Sequence, residues 1–185
     1  SDCSLCESAL HGFSEPGHAA SIEGMRRRSA TFAARRILNY EGDAPKEVFQ
    51  LFDGWAFRYK MLDDGRRQIL NFALPADLVG LPGSLMEELE HSVEALTDVS
   101  LCVFPREKVW TLYSNVPSLA FDLTWIAARS EKLGDEHLLS VGQRTALERT
   151  AFILLTLYVR AEEVGLVKGN AVQFPFTQQH LADTL

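Results

Sequence analysis

Between residues 37 and 105 apolar and polar positions alternate in short runs, and each run stops at a turn-forming residue. Residues 37–40 run into Glu41-Gly42-Asp43, residues 48–52 into Asp53-Gly54, and residues 55–62 into Asp63-Asp64-Gly65. Period-two alternation broken by Asp-Gly predicts strands joined by tight reversals, because glycine accepts the positive φ angles that such turns demand. Residues 67–74 return as the partner of residues 55–62, Pro75-Ala76-Asp77 ends that strand, and residues 93–105 supply further strands. Many short strands at this spacing predict an antiparallel roll, not a parallel sheet with crossover helices.

After residue 105 the period changes to that of a helix. A short helix over residues 105–113 leads into a long one over residues 117–140, about 35 Å in length. Leu119, Leu123, Ile126, Ser130, Leu133, His137 and Ser140 recur at steps of four and three, the seam of a helix that pairs with another helix. Asp122, Arg129, Glu131, Lys132, Asp135 and Glu136 are expected on the opposite, water-facing side. Ser140 and Gln143 read as a capping box for a second helix whose apolar face is Leu147, Ala151, Leu154, Leu155 and Tyr158. Residues 174–176 are extended around Pro175, and Thr177 caps a last helix that begins at Gln178, with nothing foreseen for it to pack against. At the other end, residues 25–34 read as a short helix with Arg26, Arg27 and Arg28 on a solvated face. Residues 1–24, broken by Pro16 and Gly17, read as an arm carrying Cys3, Cys6, His11 and His18.

Composition narrows the functional classes. A chain of 185 residues that is 46% hydrophobic can bury a proper core. Its net charge of −7 opposes loose electrostatic attraction to nucleic acid or acidic membrane. No apolar window reaches the length of a membrane span and no leader pattern opens the chain, so a cytoplasmic protein with no membrane partner is expected. Three cysteines do not suit a disulfide framework and leave thiol or metal chemistry open. A cupin-like metal enzyme needs a His-x-His pair, and the five histidines, at 11, 18, 91, 137 and 180, are scattered. With no nucleophile–base or paired-carboxylate arrangement either, no enzyme is expected.

The order of these elements, with certain short motifs, resembles the Crp/Fnr family of bacterial transcription regulators, in particular its Fnr/FixK-like alphaproteobacterial members. The motifs are Glu41-Gly42-Asp43, Gly54, Asp64-Gly65-Arg66-Arg67-Gln68-Ile69-Leu70, Leu74-Pro75 with Asp77-Leu78-Val79-Gly80, Phe104-Pro105-Arg106, Arg144, Glu148, Arg149, and residues 177–183. The resemblance implies an α+β fold: an antiparallel β-roll, like a cyclic-nucleotide-binding jelly roll, then a long dimerisation helix and the start of a winged helix-turn-helix domain. It divides the chain into an arm (1–24), a sensor roll (25–112), a dimerisation helix (113–140) and the first part of a DNA-binding domain (141–185) that the family continues past the position of Leu185. The implied partners are a second copy of the chain, a near-palindromic operator with half-sites about one DNA turn apart, and RNA polymerase. Thr177 and Gln178 would touch phosphate.

The resemblance also frames the signal. Cyclic-AMP binders of the family carry Gly-Glu and later Arg-Ser; here the stretches read Gly80-Leu81-Pro82-Gly83 and His91-Ser92, which removes the bidentate phosphate partner and argues against cyclic AMP. Fnr-type oxygen sensors hold an iron-sulfur cluster between arm cysteines and one roll cysteine three residues ahead of a proline. Cys3, Cys6 and Cys102 fit that register, but Gly12 stands where a third arm cysteine is expected, so that His11 would be the nearest substitute ligand. An iron-sulfur cluster and a Cys3His zinc site both stay open, as does a ligand or haem in the roll with idle cysteines. Cys102, between Leu101 and Val103, also reads as a small core residue, and His137 as a polar register-setting residue.

Overall fold

Each apolar run becomes a strand because the residues between runs turn the chain back. At the Asp64-Gly65 reversal Gly65 has φ 84°, and the Leu62 N–H donates to the Arg66 carbonyl at 2.8 Å. Gly54 turns with φ 88°, and a Cβ there would lie 2.2 Å from the Asp98 carbonyl oxygen, so this position excludes every other residue. The computed structural model describes Arg26 and residues 28–185. In that span eight strands, β1 (Arg28–Phe32), β2 (Ile37–Asn39), β3 (Glu47–Asp53), β4 (Ala56–Met61), β5 (Arg67–Ala73), β6 (Leu78–Val79), β7 (Ser92–Ala95) and β8 (Val99–Pro105), are joined by helix α1 (Leu81–Leu85) and followed by α2 (Arg106–Asn115), α3 (Pro117–Gln143), α4 (Ala146–Glu163) and α5 (Gln178–Ala182).

The strands form two antiparallel sheets, β1-β8-β3-β6 and β2-β7-β4-β5. Their inner faces meet in a core of Phe49, Leu51, Ala56, Val79, Val93, Leu101, Val103 and neighbours. This is the antiparallel roll expected from the alternation. The second sheet, however, is apolar on its outer face too: Trp55, Phe57, Tyr59, Ile69 and Phe72 are buried there against Ile153, Leu157 and Ala161 of α4. A bulge makes this arrangement possible. Arg58 pairs with Asn71 but Tyr59 pairs with Ile69, so Leu70 is the extra residue, and Ile69 and Phe72 both reach the outer face. Burial of each such side chain is worth roughly 2–3 kcal/mol.

Several sequence expectations change. The described residues of the stretch 25–34 do not make a helix: Arg28–Phe32 is strand β1, paired with β8 from Arg28↔Val103 to Phe32↔Val99. Ala30 and Phe32 pack on the roll core, and that burial outweighs any helical tendency of the basic run. The long helix starts at Pro117, after α2, and continues to Gln143, so Ser140 lies inside it, buried. The capping box of the next helix is instead Thr145 with Glu148, three residues on. The face of α4 that packs is Ile153, Leu157 and Ala161; Leu147 and Leu155, of the expected face, are exposed.

Helix α5 has the Thr177 cap that was expected, but it does not lack a packing partner. Its end adds to the free edge of β5, where the Ile69 N–H donates to the Asp183 carbonyl at 2.7 Å. The Arg67 Nε and Nη2 donate to Asp183 Oδ2 at 2.9 and 2.8 Å, with the guanidinium over the rings of Phe57 and Tyr59. Phe174 and Phe176 stack and reach Trp55 and Phe72. Gly54→Ala is expected to cost at least about 2 kcal/mol of unfolding free energy, measured by urea titration, whereas Gly142→Ala, with nothing near its Cβ position, should leave stability unchanged or raise it.

Candidate functional site

Helix α3 borders both the roll and α4, and its faces are used differently from the expectation. Leu123 is buried with Val48, Leu81, Val109 and Ala120, and Ile126 packs against the same cluster. Leu133 faces the roll and α4, and the His137 ring meets Phe152 of α4 edge-on, centroids 6.1 Å apart. Ser130 turns its hydroxyl back to the Ile126 carbonyl at 3.0 Å. Leu123, Ile126, Leu133 and His137 of the expected seam are thus turned onto their own chain, while Ser130 is exposed. Asp122, expected in water, is 5% exposed. A seam at four-three spacing and a core face look alike in sequence, and the roll claims this one. One open stripe is Thr124, Ala127, Glu131, Gly134, Leu138 and Val141, also at alternating three and four, with Leu138 74% and Val141 52% exposed; Phe121 and Leu139 are exposed beside it.

Between α3, the end of α4 and the second sheet lies a cavity of about 410 Å³. Its walls carry three arginines, Arg58, Arg129 and Arg160, and three carboxylates, Asp77, Asp122 and Glu163. Arg160 donates to the Asn71 side chain at 3.1 Å, to the Phe72 carbonyl at 2.9 Å and to Asp77, which also accepts from the Leu74 N–H at 2.8 Å. Arg129 pairs with Glu163 at 2.5 Å and lies over the Trp125 ring. Arg58, opposite Asn71 on the bulged pair, is different. Burial lowers its pKa; the Asp77 carboxylate works against that shift and the Arg160 charge adds to it. No sequence pattern marked this cluster, because its members come from four separate elements.

The thiol set is only partly within the described residues. Cys3, Cys6 and His11 lie outside them. Cys102 sits on β8 between Ser29 of β1 and Gln50 of β3. Its neighbours Leu101 and Val103 fill the roll core, so by alternation Cys102 belongs to the outer face, the one that carries Val48 and Phe104 toward α2 and α3. It is a reduced thiol, 2% exposed. Among the described residues no three Cys, His, Asp or Glu side chains converge on a metal position. A cluster would therefore depend on ligands from the arm.

His91, where the cyclic-AMP binders have arginine, is neutral at pH 7: burial, then the charges of Arg58 and Lys60, bring its pKa down to about 4, against the pull of Glu41. It brings no charge to a phosphate. At the far end Thr177 is occupied inside the chain. Its N–H donates to His180 Nδ1 at 3.1 Å, and its hydroxyl accepts from the His180 N–H. This capping pair requires an unprotonated imidazole, in line with the lowered pKa of His180, caused first by burial and then by Arg67. Gln178 is exposed beside it.

An antiparallel roll followed by a long helix and a capped helix held on the sheet edge is the architecture of a cyclic-nucleotide-binding-like domain with a helical extension. Residues 29–115 match the cyclic nucleotide-binding domain family. The chain belongs to the Crp/Fnr family of transcription regulators: it is 30% identical over 161 residues to the nitrogen fixation regulation protein FixK of Rhizobium meliloti (strain 1021), covering 86% of this chain and 69% of that protein. It is also 30% identical over 173 residues to the transcriptional activator protein anr of Pseudomonas aeruginosa, covering 94% of this chain and 70% of that protein. The structure of FixK2 from Bradyrhizobium japonicum has a TM-score of 0.77 at 26% identity, covering 84% of this chain and 75% of that one.

His91, His137 and His180 all have lowered pKa values through burial. In each, the folded state prefers the neutral ring, so its contribution is complete above the unfolded value near 6.5. For His91 it is lost as pH falls from there toward about 4. The melting temperature should be flat from pH 7 to 8 and fall below pH 6.5. His91→Gln should flatten the lower part of that fall, and His180→Glu, which keeps a capping box without an imidazole, should reduce the remainder.

Proposed function

We propose that the chain is the sensor and transmitter of a dimeric, DNA-binding transcription regulator that responds to redox state, oxygen or a related signal. The observation that carries the regulator reading is the open stripe of α3. It runs at a four-three repeat from Thr124 to Val141 beside a helix face already spent on the roll. A second copy laid on it would bury Leu138 and Val141, with Ala127 and Gly134 small enough for close approach. Two copies would then present two α5 elements to successive half-sites of an operator. RNA polymerase is the further partner the family implies, and the cytoplasm the compartment.

For the signal, Cys102 with Cys3 and Cys6 of the arm is the thiol set, and His11 the nearest nitrogen. An iron-sulfur cluster or a zinc ion held by them would tie the arm to the outer face of the first sheet, and oxidation of the thiolates would release it. A second reading, a small ligand bound at the roll, is favoured by the 410 Å³ cavity against α3.

Two measurements test these readings. Leu138→Glu should raise the dimer dissociation constant at least about tenfold, or about 1.4 kcal/mol, by light scattering, while Ser130→Glu should change it less; a wild-type chain that stays single at 100 μM, roughly the range of an ordinary association, removes the dimer. Anaerobic purification with visible spectroscopy and metal analysis tests the thiols. A brown, oxygen-labile protein supports the cluster, a colourless one with zinc supports the structural ion, and a metal-free one leaves the cysteines idle.

A further inference from the structure

We propose that helix α5 is a latch through which the roll holds the far end of its own subunit, and that Arg67 keeps it closed on Asp183, with Glu94 as the alternative partner of Arg67 when α5 opens. The regulatory meaning of the latch rests on the transcription-regulator reading; the latch itself rests on the contacts of α5 alone.

No residue of α5 is buried, and Leu181 and Leu185 pack only partly covered against the second sheet, so polar contacts decide where the helix sits. Asp183 collects most of them. Its Oδ2 accepts from Arg67, its Oδ1 accepts from the Gln179 amide at 2.6 Å, and its carbonyl accepts from the Ile69 N–H on the free edge of β5. The Leu185 carbonyl accepts from Arg149 Nη1 at 2.7 Å, and the His180 ring lies beside that of Phe57, centroids 5.4 Å apart. An element with few buried apolar contacts opens at lower cost than the core it rests on. Phe174 and Phe176, stacked on each other and packed on Trp55 and Phe72, anchor the chain just ahead of it. Opening therefore has a boundary at Thr177.

The position of Arg67 makes the contact two-way. From β5 its Nη2 reaches Asp183 at 2.8 Å, while its Nη1 stands 3.7 Å from Glu94 Oε2 on β7, beyond hydrogen-bonding distance. The side chains of Arg67, Glu94 and Asp183 are 23%, 19% and 12% exposed, so these charges are partly withdrawn from water, where pairing counts for more than at an open surface. Burial raises the pKa of Glu94, with the Arg67 and Arg35 charges working against the shift, so a closer approach of Arg67 would favour its charged form. With α5 closed, Asp183 takes the guanidinium. With α5 away, the same fork can turn to Glu94, and opening leaves no charge stranded on the sheet. A residue with a partner in each of two arrangements is what a signal can bias. Arg67 and Glu94 both belong to the roll, and the guanidinium rides on Phe57 and Tyr59 of β4, the strand between them. A shift among β4, β5 and β7 thus changes which carboxylate Arg67 reaches, and this path runs within one subunit without passing through α3.

The test is amide hydrogen exchange of the full 185-residue chain without DNA, at a single pH, read by mass spectrometry on peptides covering residues 177–185, β3 and β8. Asp183→Asn and Arg67→Met should exchange at least about tenfold faster than wild type over residues 177–185, while β3 and β8 keep their protection. Arg67→Lys, which retains the charge and loses the planar fork, should fall between wild type and Arg67→Met. Glu94→Gln, which removes the alternative partner, should slow exchange over residues 177–185. Unchanged exchange there in both Asp183→Asn and Arg67→Met, acceleration spread equally over β3 and β8, or Glu94→Gln no slower than wild type overturns the latch. Operator affinity of the regulator carrying its recognition helix is a separate measurement. Latch variants that leave that affinity unaltered keep the latch and remove its regulatory role, whereas a wild-type regulator that binds no operator removes the transcription reading and leaves the exchange result standing.

Discussion

A sheet that is apolar on both faces cannot stand against water on either, and this one requirement organises the molecule. The β2-β7-β4-β5 sheet fills the roll core with Ala56, Val93 and Ala95 while Trp55, Phe57, Tyr59 and Phe72 project the other way. Helix α4 and residues 172–185 supply the second cover. Elements after the long helix are therefore packed on the roll itself, not hung from it by that helix alone. Arg160 fixes the junction by giving its donors to three acceptors on β5 and the turn after it. Arg67 fixes the other end through Asp183.

Helix α3 is consequently a shared wall. One face closes the cluster around Val48 and Leu81, another borders the cavity, and the stripe with Leu138 and Val141 remains for a partner. A change at any one of these faces alters the position of the helix at the others, because a rigid rod of 27 residues has no slack between them.

Much of the fold could be read from the sequence, because strands and turns here follow local rules. Asp-Gly pairs, period-two runs and the Thr177 cap each predict their own surroundings. What could not be read depends on which surface claims a residue. Leu123, Ile126 and His137 have the spacing of a partner seam, and the roll and α4 take them first. Residues 28–32 begin within a run of arginines that suggests a helix, yet an unpaired edge of β8 draws them into a sheet. The cavity was invisible for the same reason: Arg58, Asp77, Asp122, Arg129 and Arg160 span about a hundred positions and share no single motif.

The bulge at Leu70 has a bearing on how this chain can change over time. One surplus residue in β5 is what lets Ile69 and Phe72 share a side while the Asn71 side chain accepts from Arg160. Its loss would be a deletion, which no series of single substitutions reproduces, and it would swap inside for outside along half a strand. The recess beside Asn71 thus depends on one residue of chain length as much as on the identity of any side chain around it.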